Sequence, residues 1–166
     1  MIIELTSIVE RPVSVNETFS DIDLELDDAS IVGDVSFAGE KVRIDGKAHI
    51  RGNVKGEVEI ACTRCTTAVL RPFDIEFDDV FVNEPLKDGE EAVEEVDLDE
   101  SYVENGEVDL SEVVREQILL DLPEQVYCSD GCKGLCPKCG SNLNLIDCNC
   151  NFNEIDPRWA ALKGLN

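Results

Sequence analysis

Six of the eight cysteines of this chain crowd between Cys128 and Cys150: Cys128, Cys132, Cys136, Cys139, Cys148 and Cys150, centred on Cys136-Pro137-Lys138-Cys139-Gly140. Two thiolates three positions apart can grip one metal ion from a single tight turn. A glycine after the second supplies the positive φ that turns backbone N–H groups toward sulfur. Cys148-Asn149-Cys150 can complete such a shell, and a further pair, Cys62-Thr63-Arg64-Cys65, lies upstream. Eight sulfurs are enough for two four-thiolate sites. Zinc is the expected cofactor, as one or two ions.

The same cysteines could serve a disulfide framework, which belongs to oxidising compartments. The chain opens Met1-Ile2-Ile3-Glu4-Leu5, without the basic, apolar and small-residue regions of an export signal. A cytoplasmic location with reduced thiols is therefore expected. Catalytic zinc needs an open coordination position and usually His or carboxylate ligands, yet His49 is the only histidine and no H-E-x-x-H occurs. Nucleophile elbows and phosphate-binding loops are absent as well. A thioredoxin-like role for Cys62 and Cys65 would place the first thiol at a helix N-terminus, whereas the flanking residues read as strand. The expectation is a protein that is not an enzyme.

Three partitions of the sulfurs are open. The shortest loops pair Cys136/Cys139 with Cys148/Cys150 and leave Cys62/Cys65 to meet Cys128/Cys132, which is the preferred grouping. The four cysteines from 128 to 139 could instead share one ion, or a single ion could leave thiols spare. Loop-closure entropy grows only logarithmically with length, so the long span from Cys65 to Cys128 costs about 1–2 kcal/mol extra. A structural zinc contributes roughly 10–16 kcal/mol and would dominate that cost.

The elements that must position these residues follow from periodicity. At 166 residues the chain can form one core with a small appendage. Val35/Phe37, Val42/Ile44, Ala48/Ile50 and Val58/Ile60 alternate with polar neighbours, as strands with one buried face do, and Phe73, Ile75, Phe77 and Phe81 continue the pattern. At Asp45-Gly46 a two-residue hairpin would mix the faces, so a three-residue turn, Asp45-Gly46-Lys47, or a long strand bent at Gly46, is expected. An acidic stretch around 84–107 reads as a mobile surface loop. A helix follows, capped by Asp109, with Leu110, Val113, Val114, Ile118 and Leu122 as its apolar stripe and Pro123 as its stop. Asp156-Pro157-Arg158-Trp159-Ala160-Ala161-Leu162 reads as a short helix docked by Trp159 and Leu162. The expected fold class is α+β: an antiparallel β-sheet, one main helix and a zinc-binding cysteine-rich C-terminal segment. Its domains are an α+β unit over 1–125 and a zinc-knuckle tail with a short helix over 126–166.

The net charge of −23 disfavours general binding to phosphate backbones and favours basic protein partners. No apolar run reaches the roughly 20 residues of a membrane helix, so no membrane partner is expected. One local feature opposes the global charge. Lys41, Arg43, Lys47, His49, Arg51 and Lys55 share odd numbering and would emerge on one face of an unslipped strand pattern. They form either a solvated face that compensates nearby acids or a contact for RNA phosphate.

The segments from Gly56 through Cys62-Thr63-Arg64-Cys65, then Cys128-Ser129-Asp130-Gly131-Cys132-Lys133-Gly134-Leu135-Cys136-Pro137-Lys138-Cys139-Gly140, and Asp156 to Leu162, resemble the YceD family in its cysteine-rich bacterial form. The resemblance implies a role in accumulation or processing of large-subunit ribosomal RNA, in association with a large-subunit ribosomal protein and with no established enzymatic activity. Its members differ in how many cysteines they carry. The resulting expectation is a non-enzymatic ribosome biogenesis factor that binds a ribosomal protein or pre-ribosomal large subunit. Local rRNA contact through Lys41, Arg43, Lys47, Arg51 and Lys55 belongs to that picture. A zinc-dependent RNA-binding module is the alternative, and a thiol redox protein a more distant one.

Overall fold

Three long strands, rich in β-branched and aromatic residues at alternate positions, carry the molecule. In the computed structural model, which describes residues 1–83, 100–150 and 158, these are β3 (Ala29–Ile44), β4 (Lys47–Ala61) and β5 (Ala68–Asn83). The shorter β2 (Val13–Phe19) and β6 (Glu100–Val103) complete a five-stranded sheet in the order β2-β3-β4-β5-β6. All its pairs are antiparallel except β5 with β6, which is parallel. A separate two-stranded ribbon joins β1 (Ile2–Glu4) to β7 (Glu107–Asp109), and the helix α1 (Leu110–Asp121) follows at once. The fold is the expected α+β arrangement.

Register decides what each face carries. Val35 and Phe37 on β3, Ala48, Ile50, Val54, Val58 and Ile60 on β4, and Phe73 and Phe81 on β5 line one face and are buried. Against that face pack Leu110, Val113, Val114 and Ile118 of α1, with Ile3, Leu5 and Ile8 of the N-terminal segment. The Phe37 ring lies 5.8 Å from Phe77 and extends over the facing glycines Gly39 and Gly52. A Cβ on Gly39 would stand 2.6 Å from that ring and 2.3 Å from the Arg51 carbonyl oxygen, so only glycine fits there.

The hairpin between β3 and β4 corrects the expected turn. Asp45 and Gly46 form a two-residue loop, with Ile44 opposite Lys47 and Val42 opposite His49. Both loop residues have positive φ, 51° and 83°, the requirement of a type I′ turn, whose twist matches that of the flanking strands. Turn chemistry therefore outweighs keeping every aliphatic residue on one face. Val42 is buried on the face opposite Val35 and Phe37, and Ile44 is exposed there.

Helix α1 begins where Asp109 accepts hydrogen bonds from the backbone N–H (3.1 Å) and hydroxyl (2.6 Å) of Ser111 and from the N-terminal ammonium (3.2 Å). It ends at Leu122, which the following Pro123 holds in an extended conformation. Arg115 ties the helix to the 20–28 loop through the carbonyls of Asp23 and Leu24 and the Glu25 carboxylate. The acidic loop expected around 84–107 is corrected in its last part: residues 100–109 form β6, a 3-10 turn and β7. Each short strand saturates backbone groups that β5 and β1 would otherwise expose, and Val108 enters the core. Residues 84–99 of that segment, and the expected C-terminal helix with Trp159 and Leu162, lie outside the described residues.

Candidate metal centre

Strand β4 runs straight into the first cysteine pair. The Cys62 N–H donates to the Thr67 carbonyl at 2.8 Å and the Thr66 N–H returns to the Cys62 carbonyl at 2.9 Å, closing a tight turn between β4 and β5. Thr66 takes the positive φ, 58°, that this turn demands. The Cys136 turn repeats the same bonds: the Cys136 N–H donates to the Ser141 carbonyl (2.8 Å) and the Gly140 N–H to the Cys136 carbonyl (2.8 Å), with Gly140 at φ 72°. In both, a hydroxyl five positions after the first cysteine lies beside the second sulfur, Thr67 at 3.2 Å from Cys65 and Ser141 at 3.3 Å from Cys139. The two knuckles are one local solution used twice.

Around them the structure brings the sulfurs together in two sets of four. Cys62, Cys65, Cys128 and Cys132 form the inner set, and Cys136, Cys139, Cys148 and Cys150 the outer set. Within each set the sulfurs lie within 4.8 Å of one another. This grouping coincides with the shortest-loop partition. In the inner set Cys65 and Cys128 are 3.5 Å apart and Cys62 and Cys132 3.9 Å. Disulfide sulfurs would lie about 2.05 Å apart. A tetrahedral zinc with bonds of about 2.3 Å would hold its sulfurs about 3.8 Å apart, so the donor set and its spacing fit such an ion. With four sulfur donors around one position, no coordination place is left open for a substrate.

The thiols are electrostatically unequal. Burial pushes the Cys62 thiol up, but hydrogen bonds from backbone N–H groups of Arg64, Cys128 and Cys65 outweigh it and bring it down to about 6. The hydroxyl and backbone of Thr67 lower Cys65. The Ser141 hydroxyl and backbone N–H bring Cys139 to about 6. Cys128 is pushed up to about 12 by sharing hydrogen bonds with the sulfurs of Cys65 and Cys132, and Cys150 to about 12 by those of Cys139 and Cys136. The knuckle sulfurs Cys62, Cys65, Cys136 and Cys139 are thus favoured as thiolates, while Cys128, Cys148 and Cys150 resist ionisation. A divalent cation held by such a set would remove that resistance, because it would turn mutual repulsion among four thiolates into shared attraction.

Several supporting residues carried no signal in the cysteine spacing. Thr63 and Val126 exchange two bonds, N–H to carbonyl at 2.8 Å and N–H to hydroxyl at 2.9 Å, so the tail is fastened to the knuckle just before Cys128. The Arg64 guanidinium donates to the Cys132 carbonyl at 3.1 Å and lies 4.4 Å over the Tyr127 ring. Its own carbonyl accepts from Leu135 at 3.0 Å, one residue before the outer set begins. Asn144 donates to the Cys132 sulfur at 3.4 Å and accepts from the Lys133 N–H at 2.8 Å. The sequence does hold one usable signal for the knuckles: both read C-x-x-C-x-[S/T].

The odd-numbered basic residues do not form one face. With Asp45-Gly46 as a two-residue loop, odd positions of β3 share a face with even positions of β4. Lys41 and Arg43 turn toward the N-terminal segment, where Lys41 donates to the Ser7 hydroxyl and Arg43 to the carbonyls of Leu5, Ile8 and Gly46. Lys47, His49, Arg51 and Lys55 project from the opposite face, each against a carboxylate: Glu100, Asp78, Glu40 and Asp74 respectively. The single stripe is corrected to two groups, because a two-residue loop changes the parity of facing positions.

Residues 50–166 match the model of a family described as large ribosomal RNA subunit accumulation protein YceD. The chain is 33% identical over 132 residues to a Bacillus subtilis protein named uncharacterized protein YlbN, covering 75% of this chain and 73% of that one. It is 26% identical over 154 residues to the chloroplastic large ribosomal RNA subunit accumulation protein YCED homolog 1 of Arabidopsis thaliana, covering 79% and 48% respectively. An uncharacterized Mycobacterium leprae protein is 28% identical over 116 residues, covering 70% and 52%. The chain thus spans about half the length of the last two relatives. No solved structure matches it.

Proposed function

Since the chain belongs to the YceD family, we propose that it supports accumulation of large-subunit ribosomal RNA as a cytoplasmic, non-enzymatic assembly factor that binds a basic ribosomal protein or a pre-ribosomal particle. Cys62, Cys65, Cys128 and Cys132 hold one zinc ion in this reading, and Cys136, Cys139, Cys148 and Cys150 a second. The unit over 1–125 carries the recognition surface, and the ions fix the tail from 126 onward to it. The observation that carries the proposal is the family match across the residues that include both knuckles.

The charge distribution supports a basic client. Residues 126–166 hold four acidic side chains (Asp130, Asp147, Glu154, Asp156) against four basic ones (Lys133, Lys138, Arg158, Lys163), so the whole net charge of −23 resides in residues 1–125. On the sheet face away from the core, Glu57, Glu59 and Glu76 are exposed and have no basic partner among the described residues. The cations of that face are already matched by acids. Such a field draws in a positively charged protein and repels phosphate.

Affinity capture with the full chain at low and high salt tests this. A basic large-subunit ribosomal protein or a large-subunit precursor is retained at about 50 mM salt and weakened at about 500 mM, where screening shortens to a few ångströms. The triple change Glu57→Lys, Glu59→Lys, Glu76→Lys reduces that capture. Retention of protein-free RNA, strengthened by the same triple change, supports the RNA-binding module in its place. Recovery of neither, under conditions that retain known ribosomal assembly particles, overturns the proposal.

A further inference from the structure

The two sulfur sets share a knuckle but are unequally built. In the inner set Cys62, Cys65 and Cys132 are 1%, 2% and 4% exposed, and Cys128 alone is open. The outer set inverts this ratio: Cys136 is buried, Cys139 is exposed, and Cys148 and Cys150 are half-buried. The anchoring differs in the same sense. The inner sulfurs come from two distant parts of the chain, stapled by the Thr63–Val126 pair, the Arg64 guanidinium and the Cys128 N–H that donates to the Cys62 sulfur at 3.4 Å. The bonds that shape the outer set are short-range ones, Cys136 with Ser141 and Gly140, Leu143 with Gly134, and Leu145 and Ile146 with Asn142. It is held to the inner knuckle through Leu135, which donates to the Arg64 carbonyl upstream of its own first ligand, and through Asn144, which meets the Cys132 sulfur and the Lys133 N–H.

From this asymmetry we infer that the outer set, Cys136, Cys139, Cys148 and Cys150, is an oxidant-labile metal site that a peroxide opens at Cys139 while the inner set keeps its ion. The inference rests on the reading that both sets bind metal. A peroxide attacks the sulfur it can reach, and the exposed Cys139 has two half-buried ligands beside it, whereas the exposed Cys128 stands among three buried ones. The Cys139 thiolate sulfur attacks one oxygen of hydrogen peroxide, the O–O bond breaks, and with one proton taken up the products are Cys139–SOH and water. A neighbouring thiolate of the same set, within 4.8 Å, then displaces the sulfenic hydroxyl, which leaves with a second proton as water, and an S–S bond forms. Two thiolates have lost two electrons in total to one peroxide, and two of the four ligands are gone. The ion leaves, and residues 136–150 lose what organises them. The inner set loses the Asn144 bond to Cys132 but keeps its four sulfurs and the Thr63–Val126 and Arg64 bonds, so it stays folded with the sheet and α1.

The test uses the full chain loaded with two zinc ions, exposed to hydrogen peroxide in the presence of a chromogenic chelator. One equivalent of metal is expected to appear in a fast phase and the second at least about tenfold more slowly. At the one-equivalent point, alkylation and mass mapping find the new disulfide among Cys136, Cys139, Cys148 and Cys150, and far-UV circular dichroism retains the sheet signal. Cys139→Ser abolishes the fast phase and leaves about one ion per chain. Release of both ions at one rate, or a first disulfide that includes Cys62, Cys65, Cys128 or Cys132, overturns this inference and leaves the metal reading intact. Protein that binds no metal at all overturns both.

Discussion

Loss of the inner ion should cost far more global stability than loss of the outer one, and loop lengths set the scale. Cys65 and Cys128, whose sulfurs are 3.5 Å apart, are separated by 63 residues in sequence. A cross-link that closes a loop of that length restricts the unfolded chain by about 4 kcal/mol on the chain-entropy model. Domain stabilities are typically about 5–15 kcal/mol, so this is a third or more of a mid-range value. The outer set closes only the short span from Cys139 to Cys148, worth about 2.7 kcal/mol by the same formula, and that amount acts on the tail alone. With a urea m-value of about 2 kcal/mol/M, Cys132→Ser should lower the midpoint of sheet unfolding by roughly 2 M. Cys139→Ser should lower it by less than about 0.5 M. Circular dichroism at a β-sheet wavelength reads the transition, with metal content measured on each variant. If Cys132→Ser fails to fold, chelation of the native chain supplies the inner-site value. Equal shifts for the two variants, or an unchanged midpoint after both ions are removed, would refute the assignment of the inner set as the staple between sheet and tail.

Asp109→Ala should cost about 1 kcal/mol through loss of the helix cap, measured by urea unfolding. Hydrogen bonds from Ser111 hold the Asp109 carboxyl below the usual carboxylate range, with the N-terminal ammonium adding to them. Its stabilisation is therefore complete above the ordinary carboxylate value and disappears as pH falls through the lowered folded one, so the gap between native chain and variant should close in acid. Asp79 has the opposite sign: burial raises its carboxyl, against the Gln117 hydrogen bond that lowers it. Asp79→Asn should gain stability relative to the native chain as pH rises through the interval between the ordinary and the raised value. Gly39→Ala should cost more than about 2 kcal/mol, because the added methyl group meets the Arg51 carbonyl and the Phe37 ring; an equally stable variant would sink the close-packing account of that glycine pair.

How far the residues announced the structure varies with the range of the forces involved. Period-two alternation located the strands from Val35 to Phe81, and the helix was legible from its Asp109 cap, its Leu110-Val113-Val114-Ile118 stripe and its Pro123 stop. These are local signals. The Asp45-Gly46 turn is also local, but two local signals conflict there: the pattern of Val42 and Ile44 favours an odd loop, and the backbone twist that Asp-Gly favours prevails. That one register choice carried the basic stripe with it, since a single change of parity moves a residue to the other face. β6 and β7 were missed because strands of four and three residues are too short to show a period. Their pairing depends on edges supplied by β5 and β1. At the metal centre, spacing alone could nominate eight cysteines, whereas the roles of Thr63, Arg64 and Asn144 depend on contacts across 11 to 68 residues of chain.

The tail gives the physical reason for taking the sulfurs as metal ligands and not as packing residues. Between Tyr127 and Cys150 every buried residue is a cysteine or a glycine: Cys132, Gly134 and Cys136. Its leucines and isoleucine are at most half-buried: Leu143 is half-buried, Leu135 is exposed, and Leu145 and Ile146 have 80% and 61% of their surface open. A segment that buries no aliphatic side chain gains almost nothing from the hydrophobic effect, at about 1.5–3 kcal/mol for each side chain it fails to bury. Ordering its backbone still costs about 1–2 kcal/mol per residue. The hydrogen bonds of its turns, at about 1 kcal/mol net each, do not close that gap. Ion binding on the order of 10 kcal/mol per site would do so at the places where the thiols converge. The exposed Leu145 and Ile146 fit the same logic: a fold held from within by ions would have no need to draw its aliphatic residues inward.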